Sequence, residues 1–323
     1  MSNSQHPFLQ LLAQRVVIFD GAMGTNLQER NLSLDDFWGQ EGCNEILVRS
    51  RPDVVRELHA SFLEVGADVL ETNTFGASAV VLAEYDLDAE DYALNKEAAA
   101  LAKSVAADYT TPAHPRFVAG SIGPGTKLPS LGHISFKDLH AVYRRQVSGL
   151  IDGGADLLII ETCQDLLQTK ATLIAIFDEF KAKGLRLPVI VQVTMENTGA
   201  MLLGSDMLTA IITLSPFPLD VLGLNCATGP KAMGAHVRTL SSSWKRPISV
   251  IPNAGLPQNI DGQMVYDLTP NELAHDLHHF VTGLGVNIVG GCCGTTPEHL
   301  KAVVDMIGGL TAQPRTTVRE AAA

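Results

Sequence analysis

Eight times along this chain a short, β-branched apolar run ends in a polar or glycine-rich turn, and an amphipathic segment follows several of the runs. They occupy residues 16–24, 68–76, 116–124, 156–163, 188–195, 221–229, 247–255 and 286–294. Continuous rather than alternating apolar runs suit strands buried on both faces, as in an all-parallel sheet. Residues 52–66, 136–154, 165–184 and 269–285 carry helical periodicity. The first of these has Pro52 at its start and Gly66 at its end, and the last opens with Thr269 and Glu272 in capping-box spacing. Strand–helix alternation repeated in this way predicts an α/β protein, a single-domain (β/α)8 TIM barrel over residues 1–310. A doubly wound open sheet is the alternative, but no G-x-G-x-x-G follows the first run. Residues 311–323 lose periodicity and read as a linker-like or disordered tail.

Composition narrows the partners. A hydrophobic content of 46% supports a large core, and a net charge of −12 argues against nucleic acid or an anionic membrane surface. No apolar run reaches the roughly 18 residues of a membrane span. The opening "MSNSQHPF" lacks the basic-then-apolar pattern of a secretory signal. Five cysteines without regular spacing suit a reducing cytoplasm better than a disulfide framework.

A barrel gathers its chemistry where the carboxyl ends of the strands meet the following loops. The expected strand ends carry Asp20-Gly21-Ala22, Glu71-Thr72-Asn73, Glu161-Thr162-Cys163, Asn225-Cys226, Pro252-Asn253 and Gly291-Cys292-Cys293-Gly294. Adjacent cysteines make a poor core pair, since neighbours in a strand point to opposite faces, and a strained disulfide. Flanking glycines leave the backbone free to turn both sulfurs one way. With Cys226 on the sixth run and Cys292 and Cys293 on the eighth, three thiolates can converge on the mouth. That set suits tetrahedral Zn2+ with one position open, as in catalytic sites. Cys43 and Cys163 read as small buried hydrophobes, and His278 and His279 as helix residues rather than ligands. Backbone N–H groups of the turn at Gly21 and Ala22 suit a carboxylate, and Asp20 with Glu161 suits an ammonium group. Glu71 and Asn73 are left open between a substrate contact and a supporting role.

The segments "FDGAMGT", "ADVLETNTFGAS", "GLNCATGP", "PNAGLP" and "NIVGGCCGTTPEHL" resemble the homocysteine S-methyltransferase family, over about residues 12 to 308. Within it they are most similar to the homocysteine-binding domain of cobalamin-dependent methionine synthase. The resemblance implies zinc held by Cys226, Cys292 and Cys293, with homocysteine bound as a zinc thiolate and released as methionine. It also implies Asn253 as a weak fourth ligand when substrate is absent, and Asp20 and Glu161 on the substrate amine. The methyl donor implied is methylcobalamin, carried with methyltetrahydrofolate on other domains or chains. The cobalamin motif Asp-x-His-x-x-Gly is absent here, since Asp138/His140 and Asp276/His278 lack the glycine. Direct use of S-methylmethionine or betaine is the alternative, and a non-catalytic zinc or redox-sensing barrel with a Cys292–Cys293 disulfide is a distant one.

Overall fold

The computed structural model describes residues 6–260 and 263–315. Eight parallel strands form its sheet: β1 Val17–Ile18, β2 Val69–Glu71, β3 Phe117–Ile122, β4 Leu157–Cys163, β5 Val189–Val193, β6 Val221–Asn225, β7 Ile248–Ile251 and β8 Ile288–Val289. The ladder runs from β1 through β8 and β7 back to β2. It closes between β1 and β2 through a parallel bridge from Phe19 to Val69, with the Asp20 N–H donating to the Val69 carbonyl at 3.0 Å. The expected (β/α)8 barrel is therefore the fold. A helix follows each strand: α1 Pro52–Glu64, α2 Asp91–Tyr109, α3 Phe136–Asp152, α4 Leu166–Lys183, α5 Met207–Leu214, α6 Pro230–Ser243, α7 Pro270–Leu284 and α8 Pro297–Ile307.

Local sequence fixes the helix ends. The Thr269–Glu272 capping box forms at the start of α7, Pro270 takes its first turn, and Gly285 closes it at φ +68°. Asp165 caps α4 by accepting the N–H of Leu167.

Strand residues sort by the two-residue period into two cores. Val17, Phe19, Val69, Phe117, Ala119, Leu157, Ile159, Ile190, Val221, Ile251 and Ile288 fill the barrel. Their alternates, such as Ile18, Leu70, Val118, Leu158, Val191, Leu222 and Val250, pack outward with the helices. A helix at Pro7–Gln14, not expected from the sequence, contributes Phe8 and Leu12 to the interior cluster. The Phe8 ring meets Phe117 edge-on, with centroids 5.7 Å apart. One end of the barrel is thus plugged by hydrocarbon. Glu71, Ser121, Glu161 and Asn225 continue the inward-facing series at the other end.

Two features go beyond the sequence reading. Between β7 and β8 the chain inserts an antiparallel hairpin, Gln258–Ile260 with Gln263–Val265. Residues 311–315, expected to be linker-like, are tied down. Thr311 bridges Arg15, Ala312 is buried, and Arg315 donates to the carbonyls of Gly285 and Trp244 at 3.1 and 3.0 Å. Residues 311–315 carry no helix and dock against the barrel; residues 316–323 lie outside the described ones. Among the described residues, no helix is long and apolar enough to cross a membrane.

Candidate active site

The three thiols expected to converge do so. Cys293 Sγ lies 3.9 Å from Cys226 Sγ and 4.0 Å from Cys292 Sγ, and all three fall within 4.8 Å of one another. Four sulfurs about 2.3 Å from a tetrahedral zinc stand about 3.8 Å apart, so this triangle needs little adjustment to hold the ion. Strained and glycine backbone makes the turns. Cys226 and Ala227 take φ of +59° and +58°, and Gly294 takes +77° with the Tyr266 ring against the position a Cβ would occupy. Hydrogen bonds tie the loops together: the Cys226 N–H donates to the Ile251 carbonyl at 3.1 Å and the Cys292 N–H to that of Pro252 at 2.8 Å. Hydrogen bonds from Cys226 and Cys292 pull the Cys293 pKa down, while contacts with Cys226 and Cys293 push Cys292 up. Three thiolates so close together would repel one another, and a bound cation would offset that repulsion.

Asn253 is buried beside the thiols, and its Oδ1 accepts the Cys293 N–H at 3.1 Å. That bond orients the side chain and leaves the amide oxygen a second lone pair.

Glu161 owes its position to an irregularity in β4. The register between β4 and β5 shifts between Ile160 and Cys163, and Thr162 takes φ +55°. Asn225 stabilises this bulge, accepting the Thr162 N–H at 2.8 Å and donating to Glu161 Oε2 at 3.2 Å. Ser121 Oγ donates to the other carboxylate oxygen. The bulge also turns Cys163 out of step with Leu157 and Ile159, into the core facing the helices. There burial pushes its thiol up to about 12. Cys43 is likewise buried and raised to about 11 by burial. Neither joins the thiol triangle.

Asp20, 3% exposed, accepts the Glu71 N–H through Oδ2 at 3.0 Å, while its Oδ1 has no hydrogen-bond partner. Burial lifts Asp20 and Glu71 well above the ordinary carboxyl range and Glu161 to about 7, and Glu161 adds to the first two by repulsion. Three acidic groups thus crowd one end of the barrel.

The turn after β1 differs in detail from expectation. The Ala22 N–H is already donated to Thr295 Oγ1 at 3.1 Å. A Cβ on Gly21 would sit 2.7 Å from the Phe62 ring and 2.9 Å from Thr295 Oγ1, so packing alone requires glycine there. Asn73 is buried and donates to the Asn44 carbonyl at 2.7 Å, a strut between the first two loops. The sequence reading also missed the struts from below: Gln146 donates to the Thr74 carbonyl at 3.0 Å and Tyr143 to that of Gly123 at 3.1 Å.

A family model described as homocysteine S-methyltransferase matches residues 17–307. The chain belongs to the homocysteine S-methyltransferase family. It is 48% identical to a methionine synthase of Mycobacterium leprae over 304 residues, which is 93% of this chain and 25% of that protein. To a methionine synthase of Mycobacterium tuberculosis it is 46% identical over 302 residues, 94% of this chain and 25% of that one. The chain spans about a quarter of the length of these relatives. Among solved structures it is similar to the metallated form of the homocysteine methyltransferase MmuM from Escherichia coli, with a TM-score of 0.73 and 26% identity over 91% of this chain and 97% of that one. The oxidized form of MmuM gives a TM-score of 0.74 and 25% identity, covering 94% and 99%.

Proposed function

We propose that this barrel binds and activates homocysteine for methylation to methionine, with Zn2+ held by Cys226, Cys292 and Cys293. The sulfur triangle carries the reading. It offers three soft, anionic donors at tetrahedral spacing and leaves the fourth position to the substrate, or to Asn253 when substrate is absent. When bound, zinc is a Lewis acid that keeps a thiol deprotonated at neutral pH yet nucleophilic.

The residues around it bind and aim. Asp20 and Glu161 take the substrate ammonium, and the glycine turn at Gly21 and Ala22 takes the carboxylate, with Thr295 ceding the Ala22 N–H. Asn225 and Ser121 fix the Glu161 carboxylate so that the amino-acid end of the substrate has one orientation. The thiol proton leaves to solvent on binding. Methylation then removes the sulfur's charge, which favours product release.

The methyl donor in this reading is methylcobalamin on another domain or chain, recharged by a methyltetrahydrofolate-binding unit. The mouth suits a docked macromolecule: Phe75, Leu131, Leu167, Leu202 and Leu256 are exposed, and all lie in loops or first turns after the strands. The test is an assay of the zinc-loaded chain with homocysteine and a panel of donors. Methionine is expected from methylcobalamin supplied in trans; turnover with S-methylmethionine or betaine alone would replace that donor, and no turnover with any would reject the activity.

A further inference from the structure

Glu71 has no role in the account above. It closes β2 on the inward side, in step with Val69. Its backbone N–H holds Asp20 Oδ2, so the two carboxyls share one corner of the mouth. Glu71 Oε1 is sealed from solvent without a hydrogen-bond partner, as is Asp20 Oδ1. The leading charge interactions on Asp20, Glu71 and Glu161 come from one another and from the Cys226 thiol, acids all. Burying a third carboxyl beside two others, with oxygen atoms left unsatisfied, costs stability. A glutamine would fill the same space without the repulsion. A group held against stability at a mouth is a mark of ligand binding.

We propose that Glu71 is a third substrate-binding carboxyl, contacting the α-ammonium of homocysteine together with Asp20 and Glu161, and that it sharpens selection of α-amino thiols over thiols lacking the amine. This rests on the homocysteine reading above. An ammonium has three N–H donors, and Asp20, Glu71 and Glu161 offer one acceptor each. Asp20 and Glu71 supply the unpartnered oxygens, and Glu161 is the member already anchored by Ser121 and Asn225.

The test compares zinc-loaded wild type with Glu71→Gln by calorimetry, using homocysteine and 4-mercaptobutanoate, the same molecule without the amine. Glu71→Gln is expected to weaken homocysteine binding by about tenfold or more, as for a lost charge-assisted hydrogen bond, and to leave 4-mercaptobutanoate binding and zinc content unchanged. Because it removes one of three crowded acids, the substrate-free variant should unfold at the same or a higher temperature than wild type. Equal weakening of both ligands would make Glu71 a purely structural group, and no weakening would remove it from the site; either overturns the proposal. Glu71→Asp, which keeps the charge on a shorter arm, should regain part of the lost selectivity, and failure to regain any counts against a charge contact. If wild type itself does not prefer homocysteine, the ammonium pocket falls as a whole, a result distinct from a neutral Glu71→Gln in a selective wild type.

Discussion

The two ends of this barrel are built by opposite rules. At the floor, Phe8 and Leu12 press hydrocarbon into a closed stack of Val, Ile, Leu and Phe. At the mouth, the same strands end in acids and thiols: Asp20 and Glu71 each keep one unsatisfied oxygen, and three sulfurs crowd within 4.8 Å. The floor gains stability from what it buries. The mouth gives some up, and in the proposed function regains it when cations bind, one on the sulfurs and one on the carboxyls. Stability and function are thus separated along the barrel axis.

That contrast can be broken first at its strongest point. Phe8→Ala should cost about 3–5 kcal/mol of stability, as for large core truncations, seen as a lower urea midpoint, while the folded fraction still binds zinc. Cys292→Ser should do the reverse, abolishing stoichiometric zinc by metal analysis with little change in the stability of the metal-free chain. If Cys292→Ser unfolds the metal-free protein, or keeps its zinc, the division of labour is wrong.

A smaller effect sharpens the mouth. Glu161→Gln should weaken homocysteine binding by about 1–3 kcal/mol with zinc retained. The pH dependence follows from its raised pKa. Burial lifts Glu161 to about 7, so the native state holds a proton that the unfolded chain gives up near pH 4.5, the carboxyl's ordinary value. Between those values the substrate-free protein should lose stability as pH rises. Binding of the ammonium needs the ionised form, so affinity should rise through the same window. Measured with methionine, which has no thiol proton, that rise should be shallower in Glu161→Gln. An unchanged slope would take Glu161 off the amine.

Much of this was legible from residue order. Eight apolar runs specify the barrel, and thiols at the ends of the sixth and eighth must meet across the seventh. Other features were hidden for physical reasons. Strands buried on both faces show no alternation, so nothing in "VLETNTF" says that Glu71 faces inward while Asn73 braces a loop. Cys163 reads as a buried hydrophobe, but nothing in its order after Glu161 shows the bulge at Thr162 that sends it into the outer core. Gln146 and Tyr143 read as polar positions on a helix, although they reach up to hold loop carbonyls. The hairpin after β7 has strands of three residues, too short to carry a pattern. The smallest expected effect belongs to Cys163→Ser, which should leave zinc content at the wild-type value because its sulfur lies in the outer core.

The central claim is that three cysteines hold the metal and leave its fourth position to the substrate's sulfur. X-ray absorption at the zinc edge, with and without homocysteine, tests it directly. Three sulfur neighbours and one lighter atom are expected in the substrate-free protein, becoming four sulfurs at about 2.3 Å once homocysteine binds. An unchanged three-sulfur shell in protein saturated with homocysteine would contradict the account.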